Sequence, residues 1–176
     1  MGAKASNQDD AAAGLAPRQA LIRAGALLVL VAVLDQITKW LMVAELTARP
    51  GIIEVTGFFN LVLTHNTGIS FGIFRGSDAW VRWALVALAL AIVGLLMHWL
   101  WREPRGRMAL AVGLICGGAV GNVIDRIRIG AVVDFLDFHA AGWHWPAFNL
   151  ADSAITLGVA VLLLDSLFRA PSGSRP

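Results

Sequence analysis

Four long apolar runs, residues 21–43, 81–101, 108–124 and 150–168, constrain this chain more than anything else in it. Each approaches the roughly 20 residues an α-helix needs to cross the hydrocarbon core of a bilayer. Inside hydrocarbon every backbone N–H and C=O must find a partner within the protein, which leaves helices or a closed barrel as spanning structures. Runs of this length without strict alternation point to helices. Composition supports the reading: 57% of the 176 residues are hydrophobic and 15% are charged, where a soluble domain carries about a quarter. The expected fold class is therefore a membrane all-α core of four transmembrane helices.

Charge placement orients the spans. Arg18 and Arg23 precede the first run, Arg102, Arg105 and Arg107 fill the loop between the second and third, and Arg169 follows the fourth. By the positive-inside rule these places are cytoplasmic, so both termini are cytoplasmic and residues 44–79 and 125–149 face outward. The first run is longer than the apolar region of a cleavable signal peptide and has no small-x-small site closing it, so it is read as a retained helix. Residues 1–20, rich in Ala, Gly, Asn, Asp and Gln, are expected to be a disordered cytoplasmic tail, and residues 170–176 a second tail. Between them, residues 21–169 form one domain. No basic run is interleaved with aromatics, so nucleic acid is not an expected partner. Cys116, the only cysteine, lies inside the third run, where packing is its expected role.

The first outward segment reads differently from the spans. Short β-branched and aromatic stretches at residues 52–56, 59–64 and 69–74 are separated by Gly57, by Asn66-Thr67-Gly68 and by Gly76. That pattern predicts a small β-structure over about 51–75, lying on the outer face. In the third run Gly113, Gly117 and Gly121 recur every four residues, which places them on one helix face and lets a neighbouring backbone come close.

Three groups of polar residues interrupt this apolar setting. Asp35 and Lys39 stand four apart on the first helix and are able to pair. Asn122, Asp125 and Arg126 close the third helix, with Arg126 as a local counter-charge for Asp125. The third group carries the most chemistry. Asp134 stands in Val132-Val133-Asp134-Phe135, and Asp152 follows Phe148-Asn149-Leu150-Ala151. A carboxylate at mid-membrane costs roughly 2.5–3.5 kcal/mol on insertion scales, so an acid kept among apolar residues has a partner or a task. An aromatic-rich loop between them returns the chain to the same depth, so the two carboxyls can meet across one water. Two close carboxylates do not both ionise readily, so one serves as base and the other as acid, without a metal. Asp125 is a rival partner for Asp152, and Asp152 has a plainer role as an acid at a helix N-terminus. The histidines (His65, His98, His139, His144) form no zinc-protease motif; His139 and His144 with two aspartates are a weaker metal alternative. No nucleophile elbow or Ser/Lys pair is present to suggest a serine hydrolase.

These residues together resemble the bacterial lipoprotein signal peptidases, the signal peptidase II family. The resemblance rests on five blocks in order: Asp35-Gln36-Ile37-Thr38-Lys39; Asn66-Thr67-Gly68-Ile69-Ser70-Phe71; Gly117 through Arg126; Val132-Val133-Asp134-Phe135; and Phe148 through Ala154. It spans about residues 20–168, with Ile69-Ser70 standing where the family often has two alanines. It implies a cradle-like outer β-structure and an aspartyl endopeptidase of the bacterial inner membrane, with no cofactor and its active site near the outer face. It further implies a substrate: a prolipoprotein already carrying a diacylglyceryl group, cut just before the lipidated cysteine. The catalytic pair would be Asp134 and Asp152, supported by Asp35, Lys39, Asn66, Asn122, Asp125, Arg126 and Asn149. The other partner is membrane lipid, and the chain is expected to act as a monomer. Two alternatives stand beside this reading. One is a transporter or channel using the same acids as a relay, and the other an intramembrane protease that cuts ordinary transmembrane helices.

Overall fold

The structure, a computed structural model, describes residues 15–68 and 78–168. In chain order its elements are α1 (Pro17–Ala48), β1 (Ile53–Thr56), β2 (Phe59–Asn66), α2 (Asp78–Arg102), α3 (Gly106–Ile129), β3 (Val132–Ala140), β4 (Trp143–His144) and α4 (Leu150–Leu167). All four helices are long and apolar enough to cross a membrane. The shortest, α4, has 18 residues and would span about 27 Å at 1.5 Å per residue.

Helix α1 begins at Pro17, where the missing N–H is no loss, and runs on to Ala48. It therefore takes in the end of the segment expected to be a tail over 1–20, and extends past the expected end at 43. Residues 1–14 and the tail at 170–176 lie outside the described residues, as does the third expected β-stretch at 69–74.

Helix α3 is the axis of the bundle. In its most apolar 18-residue window 72% of residues are buried, against 28%, 11% and 17% in α1, α2 and α4, whose outer faces are left for lipid. Lipid gives apolar faces little reason to leave it, so association rests on close packing of small residues. The glycine stripe supplies it: a Cβ added at Gly113 or Gly117 would lie 2.9 Å from a backbone carbonyl of α1, that of Ala24 or Leu28. On another face, Gly118 lies against Ala151 and Ile155 of α4, and Gly158 of α4 lies against Ala111 and Ile115. The loop between α2 and α3 closes one end of the bundle, over a core of Ala20, Ala24, Leu100, Met108 and Val112.

The opposite end carries an antiparallel sheet in the order β1-β2-β3-β4. Here the structure corrects an expectation: the region after α3 is not an aromatic loop but a nine-residue strand that completes the sheet begun by β1 and β2. Helix α3 stops at Gly130, whose φ of +79° makes a left-handed cap, and β3 begins two residues later. The β3–β4 hairpin turns on two residues of positive φ, Ala141 and Gly142. Leu46 of α1 packs with Val133 and Phe135 of β3, which fixes the sheet against the helix end. Strand pairing sets Thr64 opposite Asp134 and Asn66 opposite Val132, with an irregularity between Leu61 and Thr64.

Candidate active site

Helices α1, α3 and α4 and strands β2 and β3 converge on one largely buried polar cluster. Its base is an ion triad. Lys39 Nζ lies 2.9 Å from Asp35 Oδ2, 2.9 Å from Asp125 Oδ2 and 2.9 Å from Asn122 Oδ1, which uses all three ammonium donors. Lys39 is 3% exposed and Asp35 0%, so leaving either charge without its partner would be costly. The i, i+4 spacing on α1 makes the first pair, as the sequence suggests. The second contradicts the assignment of Arg126 to Asp125. Adjacent helical residues point about 100° apart, so Asp125 faces α1 and Arg126 does not.

The remaining acceptors of the triad position the neighbouring elements. Asp35 Oδ1 accepts the Ala151 backbone N–H at 3.0 Å, one of the otherwise unpaired donors at the start of α4. Asp125 Oδ2 also accepts the Val133 N–H at 3.1 Å, holding the residue just before Asp134. Gly121 makes the first contact possible, since an added Cβ would lie 2.5 Å from Asp35 Oδ2.

Above this base sit the two acids. Asp134, on β3, is 2% exposed; its Oδ1 accepts from Asn149 Nδ2 at 2.7 Å and its Oδ2 from Asn66 Nδ2 at 3.1 Å. Asp152, on the first turn of α4, accepts from Asn122 Nδ2 at 2.9 Å through Oδ1 and from the Asn149 N–H at 3.2 Å through Oδ2. Asn149 in turn accepts the Asp152 N–H at 3.0 Å, so the two form a capping box at the start of α4. The plainer role anticipated for Asp152 is thus present, and it coexists with proximity to the second acid. Asn66 is held by its own Asx turn, accepting Gly68 N–H at 2.8 Å.

Electrostatics separate Asp134 from an ordinary surface carboxylate. Burial pushes the Asp134 carboxyl above its usual range, and the Asp152 charge adds to the effect; hydrogen bonds from Asn66 and Asn149 and the Lys39 charge oppose it. Arg126 lies on the remaining side, interacting with Asp152, Asp134 and Asp125. Among the described residues its guanidinium donates to the Asn122 carbonyl, at 3.5 Å, and its buried Nε has no partner.

All nine residues singled out in the sequence therefore meet in one network. Sequence reasoning passed over Gln36, whose Nε2 donates to Asp125 Oδ1 at 2.9 Å and to the Gly121 carbonyl at 3.2 Å. It also passed over Asp137, buried on β3, which accepts from Asn60 Nδ2 at 2.9 Å and lies 2.9 Å from His144 Nδ1. Burial acts to raise the Asp137 carboxyl, but His144 and Asn60 outweigh it and hold it below its usual range. The signal was available, since an acid flanked by Leu136 and Phe138 invites the same question as Asp134. His144 engages Asp137, and its ring stacks on that of His139 at 5.0 Å.

Comparison with known proteins finds relatives in sequence and in fold. A family model described as signal peptidase (SPase) II matches residues 27–168. A lipoprotein signal peptidase of Paraburkholderia phymatum is 49% identical over 142 residues, covering 80% of this chain and 85% of that one. One of Burkholderia thailandensis is 46% identical over 141 residues, covering 80% and 84%. Among solved structures, a bacterial membrane enzyme superposes with a TM-score of 0.70 at 28% identity, covering 87% of this chain and 93% of that one.

Proposed function

The chain belongs to the signal peptidase II family, a peptidase that removes signal peptides from prolipoproteins, and from that premise we propose that Asp134 and Asp152 are its catalytic pair. The observation that carries the proposal is their common fastening: acids from two separate elements are both hydrogen-bonded to Asn149. Burial favours the neutral form of Asp134, which suits it to the role of acid. Asp152 stands at the N-terminus of α4 and accepts from the Asn122 amide, which suits it to the role of base.

The chemistry follows from that division. Asp152 takes a proton from a water as its oxygen attacks the scissile carbonyl, and Asp134 gives its proton to the carbonyl oxygen. The gem-diol collapses when a proton passes to the amide nitrogen and the C–N bond breaks, giving a carboxylic acid and a free amine. Arg126, whose buried Nε has no partner among the described residues, holds a substrate carbonyl. Asn66, Asn122 and Asn149 keep the carboxylates aligned, and the Asp35–Lys39–Asp125 triad ties α1, α3, β3 and α4 together beneath them.

We place the enzyme in the bacterial inner membrane with both termini cytoplasmic, on the arginine distribution, which puts the sheet end and the dyad at the outer face. The substrate carries a diacylglyceryl cysteine and is cut just before it. Exposed Phe58, Trp143 and Trp145 give the sheet an apolar rim at the depth where lipid meets water. We propose that it acts as a monomer. The relay alternative is not favoured, because Asp35, Asp125, Asp134 and Asp152 gather at one end of the bundle instead of spreading through its depth. The test is cleavage of a precursor with and without its lipid. Lipid-dependent cleavage at the cysteine, lost in Asp134→Asn and in Asp152→Asn, is the expected result; equal cleavage of the unlipidated precursor would overturn the substrate assignment.

A further inference from the structure

On the lipid-facing side of the same bundle end, α1 and α3 leave a groove that the peptidase chemistry does not use. One cavity of about 190 Å³, lined by Lys39, His65, Val133 and others, opens into a second of about 380 Å³ lined by Val33, Ile37 and Ile124. Gln36, Trp40 and Arg128 line both, so the two are one continuous depression. Its lower part is apolar, with Val33 and Ile37 about half exposed, at 49% and 48%. Its upper part carries Arg128, in the last turn of α3, and Trp40, which is 69% exposed.

We propose that this groove binds a membrane phospholipid, with the phosphate on Arg128 and one acyl chain along the α1–α3 seam over Ile37, Val33 and Ile124. Charge complementarity selects the occupant. Lys39 is already satisfied by Asp35, Asp125 and Asn122, whereas Arg128 has no carboxylate within 4.0 Å among the described residues. Its hydrogen bond to the described residues is a neutral one, Nη1 to Gln36 Oε1 at 3.2 Å, which leaves the rest of the guanidinium fork for a phosphate. Trp40 marks the depth of the lipid headgroups, because tryptophan favours the membrane–water interface, and Arg128 lines the same groove. The diacylglyceryl group of a prolipoprotein has no phosphate, so Arg128 distinguishes a resident phospholipid from the substrate's own lipid.

The site is wired to the dyad. Arg128 donates to Gln36, Gln36 donates to Asp125, and Asp125 accepts the Val133 N–H immediately before Asp134. A phosphate that orders Arg128 and Gln36 therefore steadies the backbone that carries Asp134, and phospholipid raises peptidase activity through this route.

The full chain in detergent, titrated with dioleoylphosphatidylglycerol and read by native mass spectrometry, tests the binding without any reference to catalysis, so its failure is distinguishable from failure of the peptidase reading. One juxtamembrane arginine contributes about fivefold in affinity for an anionic lipid. Arg128→Gln should weaken retention of the phospholipid by about that factor. Arg128→Lys should recover part of it, and Arg82→Gln, on α2, should leave it unchanged. Ile37→Trp, which fills the groove beneath an intact Arg128, should also weaken retention. Phosphatidylglycerol should raise the activity of the wild type more than that of Arg128→Gln. Unchanged retention in both Arg128→Gln and Ile37→Trp would overturn the proposal. So would equal retention of dioleoylglycerol, which would make the groove a route for the substrate's lipid, or full displacement by inorganic phosphate, which would make it a soluble-anion site.

Discussion

Asn149 donates its side-chain amide to Asp134 at 2.7 Å while its backbone N–H donates to Asp152 at 3.2 Å, so a single residue sets the relative position of the two acids. The same side chain caps α4 through its Oδ1. Helix initiation and active-site assembly are therefore one local event, and the two contributions can be separated by substitution.

Asn149→Ala should lose both. Loss of the cap costs about 0.5–2 kcal/mol, visible as a lower unfolding midpoint in detergent. Asn149→Ser restores an N-cap oxygen but is too short to donate to Asp134. Stability should recover in the serine variant while kcat stays low; recovery of both would show that the amide to Asp134 is dispensable.

Asp134→Asn and Asp152→Asn should each reduce processing of a lipidated precursor by at least the 10²–10⁴-fold range, on the order of one general acid or base. Both proteins should still insert in the membrane, which protease protection of the loops reports. Wild-type turnover in either variant would remove that residue from the chemistry.

The pH dependence has a defined sign. Asp134 is held above the usual carboxylate range, so its folded form keeps a proton at pH values where the unfolded chain has released it. The alkaline limb of kcat/KM should thus lie above about pH 3.9, the ordinary aspartate value. Asn66 donates to the Asp134 carboxylate and opposes the rise, so Asn66→Ala should move that limb to still higher pH. A limb that moves down would contradict the assignment. Asp137 behaves in the opposite sense: its carboxyl is held below the usual range, so the stability it contributes is present above the ordinary aspartate range and lost as pH falls through it.

Lys39→Met should leave Asp35 and Asp125 buried against each other without a cation. Breaking a buried ion cluster by removing one partner costs about 3–5 kcal/mol, measurable as a fall in thermal midpoint. Adding Asp125→Asn to Lys39→Met should restore part of the loss, because it removes the uncompensated repulsion.

Gly121→Ala tests the close approach of α1 and α3. The new methyl would press on Asp35 Oδ2, displacing the carboxylate that receives Ala151 N–H, at a cost of about 1–3 kcal/mol with reduced activity. Gly94→Ala, on α2 with nothing within 4 Å, should be neutral or slightly stabilising. Equal effects of the two would mean that the stripe does not set the helix spacing.

Much of this protein is written in local pattern. The four spans follow from run length, because hydrocarbon admits no irregular lipid-facing backbone. The Asp35–Lys39 pair follows from helical spacing, the Gly113-Gly117-Gly121 face from the same period, and β1 and β2 from β-branched stretches broken by glycine. What local pattern misassigned was pairing across elements. Arg126 stands beside Asp125 in the chain, yet the partner of Asp125 is Lys39, on a different helix. Residues 132–140 looked like an interfacial loop because the strand that pairs with them, β2, lies far away in sequence. Gln36 and Asp137 were given no role for the same reason: their partners, Asp125 and Asn60, are brought to them only by folding. Residue types and helical periods thus determined which acids the membrane would have to accommodate. The tertiary structure alone decided which amide, cation or backbone N–H meets each of them, since hydrogen bonds act over about 3 Å and depend on helix crossings and strand register.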